Sequence, residues 1–185
     1  MALALPPVFE TARLRVRALR EEDLGDLLAV NGDPEVTRYL PYKPWAGPAD
    51  AQAWFARMRG IEAQGAAVQL VAEQRATGRA IATILLFRYD ETLAQAELGY
   101  AMGREWWGGG WMREALEPLI DWSMGELRLA RISAHVEMPN VASRKLLVRL
   151  GFHELPGTPE GDPPGAAVGL ELTRPGWLAR EKPRA

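Results

Sequence analysis

The chain has 185 residues, no cysteine and a formal net charge of −2. This length suits one domain, residues 1–185, and the shares of apolar and charged residues, 48% and 25%, are those of a globular protein. The near-neutral charge argues against direct nucleic-acid binding, which needs a basic surface. Without cysteine there is no disulfide, thiolate metal site or cysteine nucleophile, and the two histidines make no histidine-rich metal site.

Membrane and export signals are also missing from the amino-acid pattern. No apolar run approaches the roughly 20 residues that a membrane span needs. The opening segment MALALPP is too short for a signal peptide and lacks its basic start. We therefore expect a cytoplasmic protein that needs no metal.

The first half of the chain predicts one strand, then helices, then three strands. Residues 13–19 alternate arginine with apolar residues, which is the period-2 pattern of a half-buried strand. Acidic residues 21–23 precede an apolar stripe that begins a helix at Leu24, because acids favour the first helical turn. We then predict a short helix and loop at 35–47, a helix at 48–64, and strands at 67–73, 80–87 and 94–102.

The second half alternates helices with strands. The glycine run 108–110 opens the strongest helix of the chain, whose apolar stripe has helical spacing. After it we predict a strand at 130–136, a helix at 140–150, a strand at 152–155, a Pro/Gly-rich loop at 156–165 and a last strand at 167–172. The fold class is α/β, with one mixed, mostly antiparallel sheet of six to seven strands flanked by about four helices.

Three consecutive glycines between a strand and a helix predict an anion site. Glycine lets the backbone approach a ligand closely, and the first N–H groups of a helix lack intrahelical partners. The run is no Walker loop, since Trp111 and Met112 follow its last glycine, and no Rossmann fingerprint, since Arg113 stands where that pattern needs glycine. On this segment alone, a plain glycine-rich turn remains the alternative.

The segment EWWGGG at 105–110 resembles the acyl-CoA-binding motif of the GNAT acetyltransferase superfamily, Gln/Arg-x-x-Gly-x-Gly/Ala, with glutamate at its first position. Further segments are similar to RimJ/RimL-type N-acetyltransferases in that family's order and spacing. They are ETARLRVRAL followed by EEDL, then DPEVTRYL, AELGYAM and NVASRKLLVRLGF. The resemblance covers roughly residues 9–155.

The resemblance implies acetyl transfer from acetyl-CoA to an amine, with the α-amino group of a protein, possibly ribosomal, as acceptor. It implies an acyl-CoA-binding core at about 94–155, where strands 94–102 and 130–136 splay apart. The backbone groups of Tyr100, Ala101 and Met102 then form hydrogen bonds with the pantetheine arm of CoA. The pyrophosphate is bound by the N–H groups of Gly108, Gly109, Gly110, Trp111, Met112 and Arg113.

Catalytic candidates follow from the same resemblance. Because no cysteine can form an acyl-enzyme, we expect direct attack of the amine in a ternary complex. Glu97 matches a glutamate that is the general base in some relatives; a solvated or ion-paired strand residue is the alternative. Asn140 suits a helix N-cap and matches an asparagine that contacts CoA, while Ser143 matches a serine near the thiol. Ser143 is our candidate for helping the thiolate leave, because Leu147 stands where many relatives have a tyrosine.

For the remaining candidate residues, the sequence leaves more than one role. Tyr39, Tyr42 and Trp45 match the family's acceptor region, although packing explains them equally well. His135 is expected to be packed or on the surface, and the alternative is that it faces the cleft beside Ser133. We expect a homodimer, formed through an exposed last strand with Trp177 and Leu178. The alternative functions are acetylation of a small amine (a polyamine, amino acid or aminoglycoside) and a non-catalytic acyl-CoA-binding regulatory module.

Overall fold

A computed structural model describes residues 2–156 and 167–180 of the chain. The predicted loop at 156–165 lies outside the described residues, except for residue 156. The strands are β1 Phe9–Glu10, β2 Leu14–Ala18, β3 Val68–Gln74, β4 Ala80–Asp90, β5 Gln95–Met102, β6 Arg131–Glu137, β7 His153–Glu154 and β8 Ala167–Thr173. The helices are α1 Leu24–Asn31, α2 Pro34–Thr37, α3 Pro48–Ala63, α4 Trp111–Gly125, α5 Val141–Arg149 and α6 Arg174–Ala179. None of these helices is long and apolar enough to cross a membrane.

The strands form one mixed sheet in the order β1-β2-β3-β4-β5-β6-β8-β7, in which only β5 and β6 are parallel. The α/β class with a mixed sheet is confirmed, but the predicted number of elements is too low. The described residues form eight strands instead of six to seven, because the two-residue strand β1 is too short for periodicity to reveal. They form six helices instead of about four. The four-residue helix α2 lies at the start of the short helix and loop predicted at 35–47, whereas α6, with six residues, is too short for periodicity to reveal.

Helices cover the two faces of the sheet unequally. On one face, alternate residues of the central strands, such as Ile84 and Leu98, pack with Leu116 of α4 in the larger core. On the other face, Val71 and Ala101 pack with α1 and α3 in a second core. In β6, buried positions alternate with exposed or half-buried ones, so its second face is open to solvent. The sheet therefore keeps an uncovered area beside the smaller core.

Strands β5 and β6 separate partway along their length. Their parallel ladder joins only three positions, from Gln95 opposite Arg131 to Glu97 opposite Ser133. β5 continues to Met102 and β6 continues to Glu137. Beyond the ladder, β5 pairs only with β4, and β6 pairs only with β8. A gap therefore opens in the middle of the sheet, as the family resemblance implied.

The alternation of arginine with apolar residues in β2 suggests a face of solvated arginines. In the structure, Arg15 and Arg17 belong instead to a cluster of ion pairs. Arg17 is 6% exposed and bonds both oxygens of Asp23, at 2.8 and 2.7 Å. Its Nε donates to Glu73 of β3 at 2.8 Å, and Arg15 contacts the other oxygen of that carboxylate. The hydrogen bond to Asp23 raises the pKa of Arg17 against the opposing effect of burial. The cluster ties β2 to β3 and to the start of α1.

Replacing Arg17 by methionine tests this cluster. The Arg17→Met variant leaves the buried carboxylates of Asp23 and Glu73 without their shared cation, which costs roughly 3–5 kcal/mol of unfolding free energy. Urea denaturation measures the loss. Arg15→Met is the control: Arg15 is 42% exposed and its removal costs about 1 kcal/mol or less. Equal losses in the two variants would contradict the assignment.

The surface predicted for a homodimer lies mostly inside the monomer. The last strand, β8, is not an exposed edge, because it lies between β6 and β7. Trp177 packs on the larger core and donates from Nε1 to Asp121 at 2.6 Å. Leu178 is exposed, at 67%. The expectation of an exposed last strand is wrong, and dimerisation itself stays a prediction.

Candidate active site

The glycine run forms a cradle of backbone N–H groups at the start of α4. Gly108 and Gly110 have φ of 78° and 74°, the left-handed region that favours glycine. A Cβ on Gly109 would lie 2.7 Å from the Trp111 ring. In the described chain, the N–H groups of residues 108–113 donate to no protein acceptor, and the first bond into the helix runs from Glu114 to the Gly110 carbonyl at 3.0 Å. This cradle is suited to a phosphate group.

An arginine from the N-terminal turn holds the glycine run in place. Arg13 donates to the Gly109 carbonyl at 3.1 Å, and its guanidinium lies 3.9 Å from the centre of the Trp111 ring. Its Nε pairs with Glu114 at 2.6 Å, and the hydroxyl of Thr11 donates to the same carboxylate at 2.6 Å. We call Thr11, Arg13 and Glu114 the N-terminal clamp. Sequence analysis missed it, because about a hundred residues separate its two parts.

The clamp depends on the charge of Glu114. Burial raises the pKa of this carboxyl, but hydrogen bonds from Thr11 and Arg13 outweigh burial and lower the pKa below its usual 4.5. A lowered pKa in the folded protein means that the ionised form favours folding. The clamp therefore stabilises the fold at neutral pH and loses its effect in acid.

The Glu114→Gln variant tests this pH dependence. At pH 7 we expect the variant to lose about 1–3 kcal/mol of unfolding free energy, because its neutral amide bonds Arg13 and Thr11 less strongly. This loss of unfolding free energy relative to the wild type has its full size above pH 4.5. It becomes smaller as the pH falls through the lowered pKa that Glu114 has in the folded protein. Urea unfolding between pH 3 and 7 measures it. Glu126→Gln, at an exposed site, should change little at any pH, and a pH-independent loss in Glu114→Gln would refute the proposed cause.

Glu97 lies at the point where β5 and β6 separate, and it is 9% exposed. Its Oε2 accepts from Arg88 at 2.7 Å, and its Oε1 lies 3.0 Å from Nδ1 of His135. His135 is thus on the surface and also lines a cavity with Ser133, so the alternative that it faces a cleft agrees with the structure as well. Its contact with Glu97 is what sequence analysis missed. The three side chains come from β4, β5 and β6, so only the sheet brings them together.

A cavity of about 250 Å³ opens beside Glu97 on the uncovered area of the sheet. Its polar lining includes Arg88, Glu97, Ser133, His135 and Glu171. Glu97 can therefore meet a small polar group entering from solvent. A second cavity, of about 200 Å³, lies between α1 and the segment before the glycine run.

On the other face of β5, a tyrosine meets the candidate serine. The hydroxyls of Tyr100 and Ser143 are 2.8 Å apart. Burial raises the pKa of Tyr100 to about 12, with a smaller opposing effect from the Ser143 hydrogen bond. Asn140 caps α5, because its Oδ1 accepts from the Ser143 N–H at 3.2 Å. Sequence analysis used only the backbone of Tyr100 and missed its side chain.

The predicted pantetheine residues border the gap. Tyr100, Ala101 and Met102 pair with β4 on one side and lie beyond the last residue paired with β6 on the other. The Met102 carbonyl accepts from Trp107 Nε1 at 2.8 Å. The free edge of β5 begins directly after Glu97.

The three aromatic candidates for the acceptor site lie apart from the cavity beside Glu97. Trp45 is 8% exposed, and its ring centre lies 5.2 Å from that of Trp54 in the smaller core. Tyr42 donates its hydroxyl to Asn31 at 2.8 Å, and burial raises its pKa to about 12. Tyr39 is half-buried, with a guanidinium above its ring. Their role in acceptor binding stays a prediction.

Basic residues of α4 and α5 divide into paired and exposed ones. Arg144 makes a two-pronged ion pair with Glu154, at 2.9 and 3.1 Å. Arg113 pairs with Glu117 at 2.8 Å. Lys145 and Arg149 of α5 are exposed. Arg144 must therefore give up its partner before it binds a phosphate, whereas Arg113 pairs through Nε alone and keeps N–H donors for one.

Comparison with known proteins identifies the family. Residues 13–153 match the model of the acetyltransferase (GNAT) domain. An uncharacterized N-acetyltransferase, p20, of Bacillus licheniformis is 34% identical over 78% of this chain and 81% of its own length.

Solved structures show the same fold at lower identity. Spermidine N-acetyltransferase from Vibrio cholerae, solved with CoA and spermine, has a TM-score of 0.76 at 20% identity, over 91% of this chain and 99% of its own. A ribosomal-protein alanine acetyltransferase from Vibrio fischeri has a TM-score of 0.72 at 20% identity, over 93% and 99%.

The fold, the split sheet and the glycine cradle thus belong to an acyltransferase. The chain is a member of the GNAT acetyltransferase family, whose members use acetyl-CoA as cosubstrate.

Proposed function

We propose that this chain is an acetyl-CoA-dependent N-acetyltransferase of the RimJ/RimL type, with residues 1–185 as one cytoplasmic domain. Its acceptor is a primary amine, and a protein α-amino group fits the family resemblance. The observation that carries the proposal is the position of Glu97. This carboxylate lies at the opening of the split sheet, beside a solvent-connected cavity, and Tyr100 and Ser143 lie on the opposite face of β5.

The chain offers acetyl-CoA two sets of backbone groups. The N–H groups of residues 108–113 have no protein acceptor in the described chain and suit the pyrophosphate. The free edge of β5 at Tyr100, Ala101 and Met102 suits the amides of the pantetheine arm. The side-chain oxygen of Asn140 accepts the hydrogen bond that caps α5, so its amide N–H groups remain available for a contact with CoA. The bound cosubstrate supplies a thioester, whose C–S bond breaks as the amine forms its bond to the acetyl carbon.

Glu97 removes the proton from the amine in this proposal. An ammonium group has no lone pair, so the acceptor must lose a proton before it attacks. Glu97 is nearly buried, and its neighbour His135 is 53% exposed at the side chain. The contact between them gives the proton a short path from the cavity to solvent.

The Glu97→Gln variant tests the base. We expect kcat near neutral pH to fall by about 10²–10⁴, because an amide does not accept the proton. Affinity for acetyl-CoA, measured by calorimetry, should change little, since Glu97 does not line the glycine cradle. Glu126→Gln, at the exposed end of α4, is the control and should keep wild-type kcat. Near-normal turnover of Glu97→Gln would remove the assignment.

Tyr100 and Ser143 stabilise the leaving thiolate. A tyrosine with a pKa of about 12 stays protonated at neutral pH and is a weaker acid than a thiol, whose pKa is about 8.5. The pair therefore acts as a hydrogen-bond donor to the developing negative charge rather than by full proton transfer. This assignment fills the place of the tyrosine that is absent at Leu147.

Single and double variants test this pair. Tyr100→Phe and Ser143→Ala should each lower kcat by roughly 10–100-fold. The double variant should cost about as much as the worse single variant, because both hydroxyls act through one hydrogen bond. Ser123→Ala is the control, because Ser123 is buried in α4 and its hydroxyl has no hydrogen-bond partner among the described residues. Unchanged kcat and CoA affinity in Ser143→Ala would show that this serine is only part of the helix surface.

Mass spectrometry after incubation with acetyl-CoA tests the overall activity. The panel contains ribosomal proteins and small amines, and the expected result is a gain of one acetyl group on an α-amino group. CoA binding without acetylation of any amine would favour the regulatory module instead.

A further inference from the structure

We propose that the acceptor carries a carboxylate or phosphate close to its reacting amine, and that Arg88 binds this anion. The inference rests on the proposed function, because it takes the cavity beside Glu97 as the acceptor site. It names a substrate class that neither the family nor its relatives define for this chain.

The backbone at Arg88 is distorted in a way that directs its side chain. Arg88 has φ of 51°, a left-handed conformation that is uncommon for arginine. It lies where the register between β4 and β5 shifts, between Phe87 and Asp90, and Phe87 is directly opposite Glu97. Bulges of this kind often redirect a side chain beside an active site. Here the bulge brings the guanidinium of Arg88 within 2.7 Å of Glu97.

The charges of the cavity argue against a polycationic acceptor. Its two lining carboxylates, Glu97 and Glu171, both have cationic neighbours. Glu97 contacts Arg88 and His135, while Glu171 lies 3.9 Å from Arg131 and 3.3 Å from His153. A polyamine needs carboxylates that are not already paired, and the described lining of this cavity offers none.

Arg88 has donors left for an anion. It is 72% exposed, and its hydrogen bond to Glu97 uses only Nη1. A guanidinium has five N–H donors in a planar fork that matches carboxylate and phosphate. In the observed pairing, Oε1 of Glu97 contacts His135, and Arg88 occupies Oε2. An acceptor anion that draws Arg88 away exchanges one ion pair for another and frees that oxygen for the amine.

Matched acceptors test the proposal with the full-length protein and acetyl-CoA. Three pairs differ only in the anion: alanine and alaninamide, phosphoethanolamine and ethanolamine, and the amides of alanyl-aspartate and alanyl-asparagine. Spermidine is the polycationic probe. The first two pairs represent free small molecules, and the third represents an acidic peptide. In at least one pair we expect kcat/KM to be ten-fold or more higher for the anionic member, and spermidine to be poorer than that member.

Variants separate the charge of Arg88 from its backbone. Arg88→Gly keeps the left-handed conformation without strain, and it should reduce the ratio of kcat/KM between the anionic and the neutral member at least ten-fold. Arg88→Lys should retain part of the preference. Arg128→Gly is the matched control, since Arg128 is also exposed and has φ of 55°, and it should leave every ratio unchanged.

The outcomes distinguish this inference from the proposed function. Acetylation of neutral amines or spermidine as good as that of anionic amines overturns the role of Arg88 but leaves an N-acetyltransferase. An unchanged preference in Arg88→Gly does the same. No acetylation of any amine in the panel overturns both proposals.

Discussion

The separation of β5 from β6 after three paired residues is the constraint on which the rest of this structure depends. Two neighbouring parallel strands normally satisfy each other's backbone groups along their whole length. Here the free edge of β5 precedes the glycine run in the chain, so unpaired strand groups are followed by unpaired helix N–H groups, which together form the proposed site for acetyl-CoA. Glu97 is the last residue of β5 that pairs with β6, so it lies where this free edge begins.

The alternation of side chains along β5 gives the gap two chemically different faces. Odd-numbered Glu97 points toward the open cavity, while even-numbered Tyr100 meets Ser143 at the start of α5. The proposed general base and the proposed hydrogen-bond donors to the leaving thiolate are thereby separated by the strand itself. This separation needs only the period of a β-strand, so one short segment can carry both proposed roles.

Ion pairs that differ in solvent exposure stabilise the sheet and the glycine run. The Arg17 cluster is buried and secures β2, whereas the N-terminal clamp joins the turn before β2 to the glycine run. The pair of Arg88 and Glu97 is different, because its arginine is largely exposed and can exchange partners with little loss. A buried network thus fixes the scaffold, and the exposed pair at the cavity is the one to which we assign acceptor selection.

The sequence by itself determined the elements whose signals are local. Periodicity predicts the long strands and helices, the glycine run predicts the cradle, and Asn140 predicts the cap of α5, which its contact with the Ser143 N–H confirms. The two-residue strand β1 and the six-residue helix α6 are missed, because a period needs several residues to show. Only the tertiary structure decided the contacts of Arg13 with Glu114, of Arg88 and His135 with Glu97, and of Tyr100 with Ser143. These partners lie between 9 and 101 residues apart in the chain, and a pairing across a sheet depends on register and bulges, which local side-chain patterns do not encode.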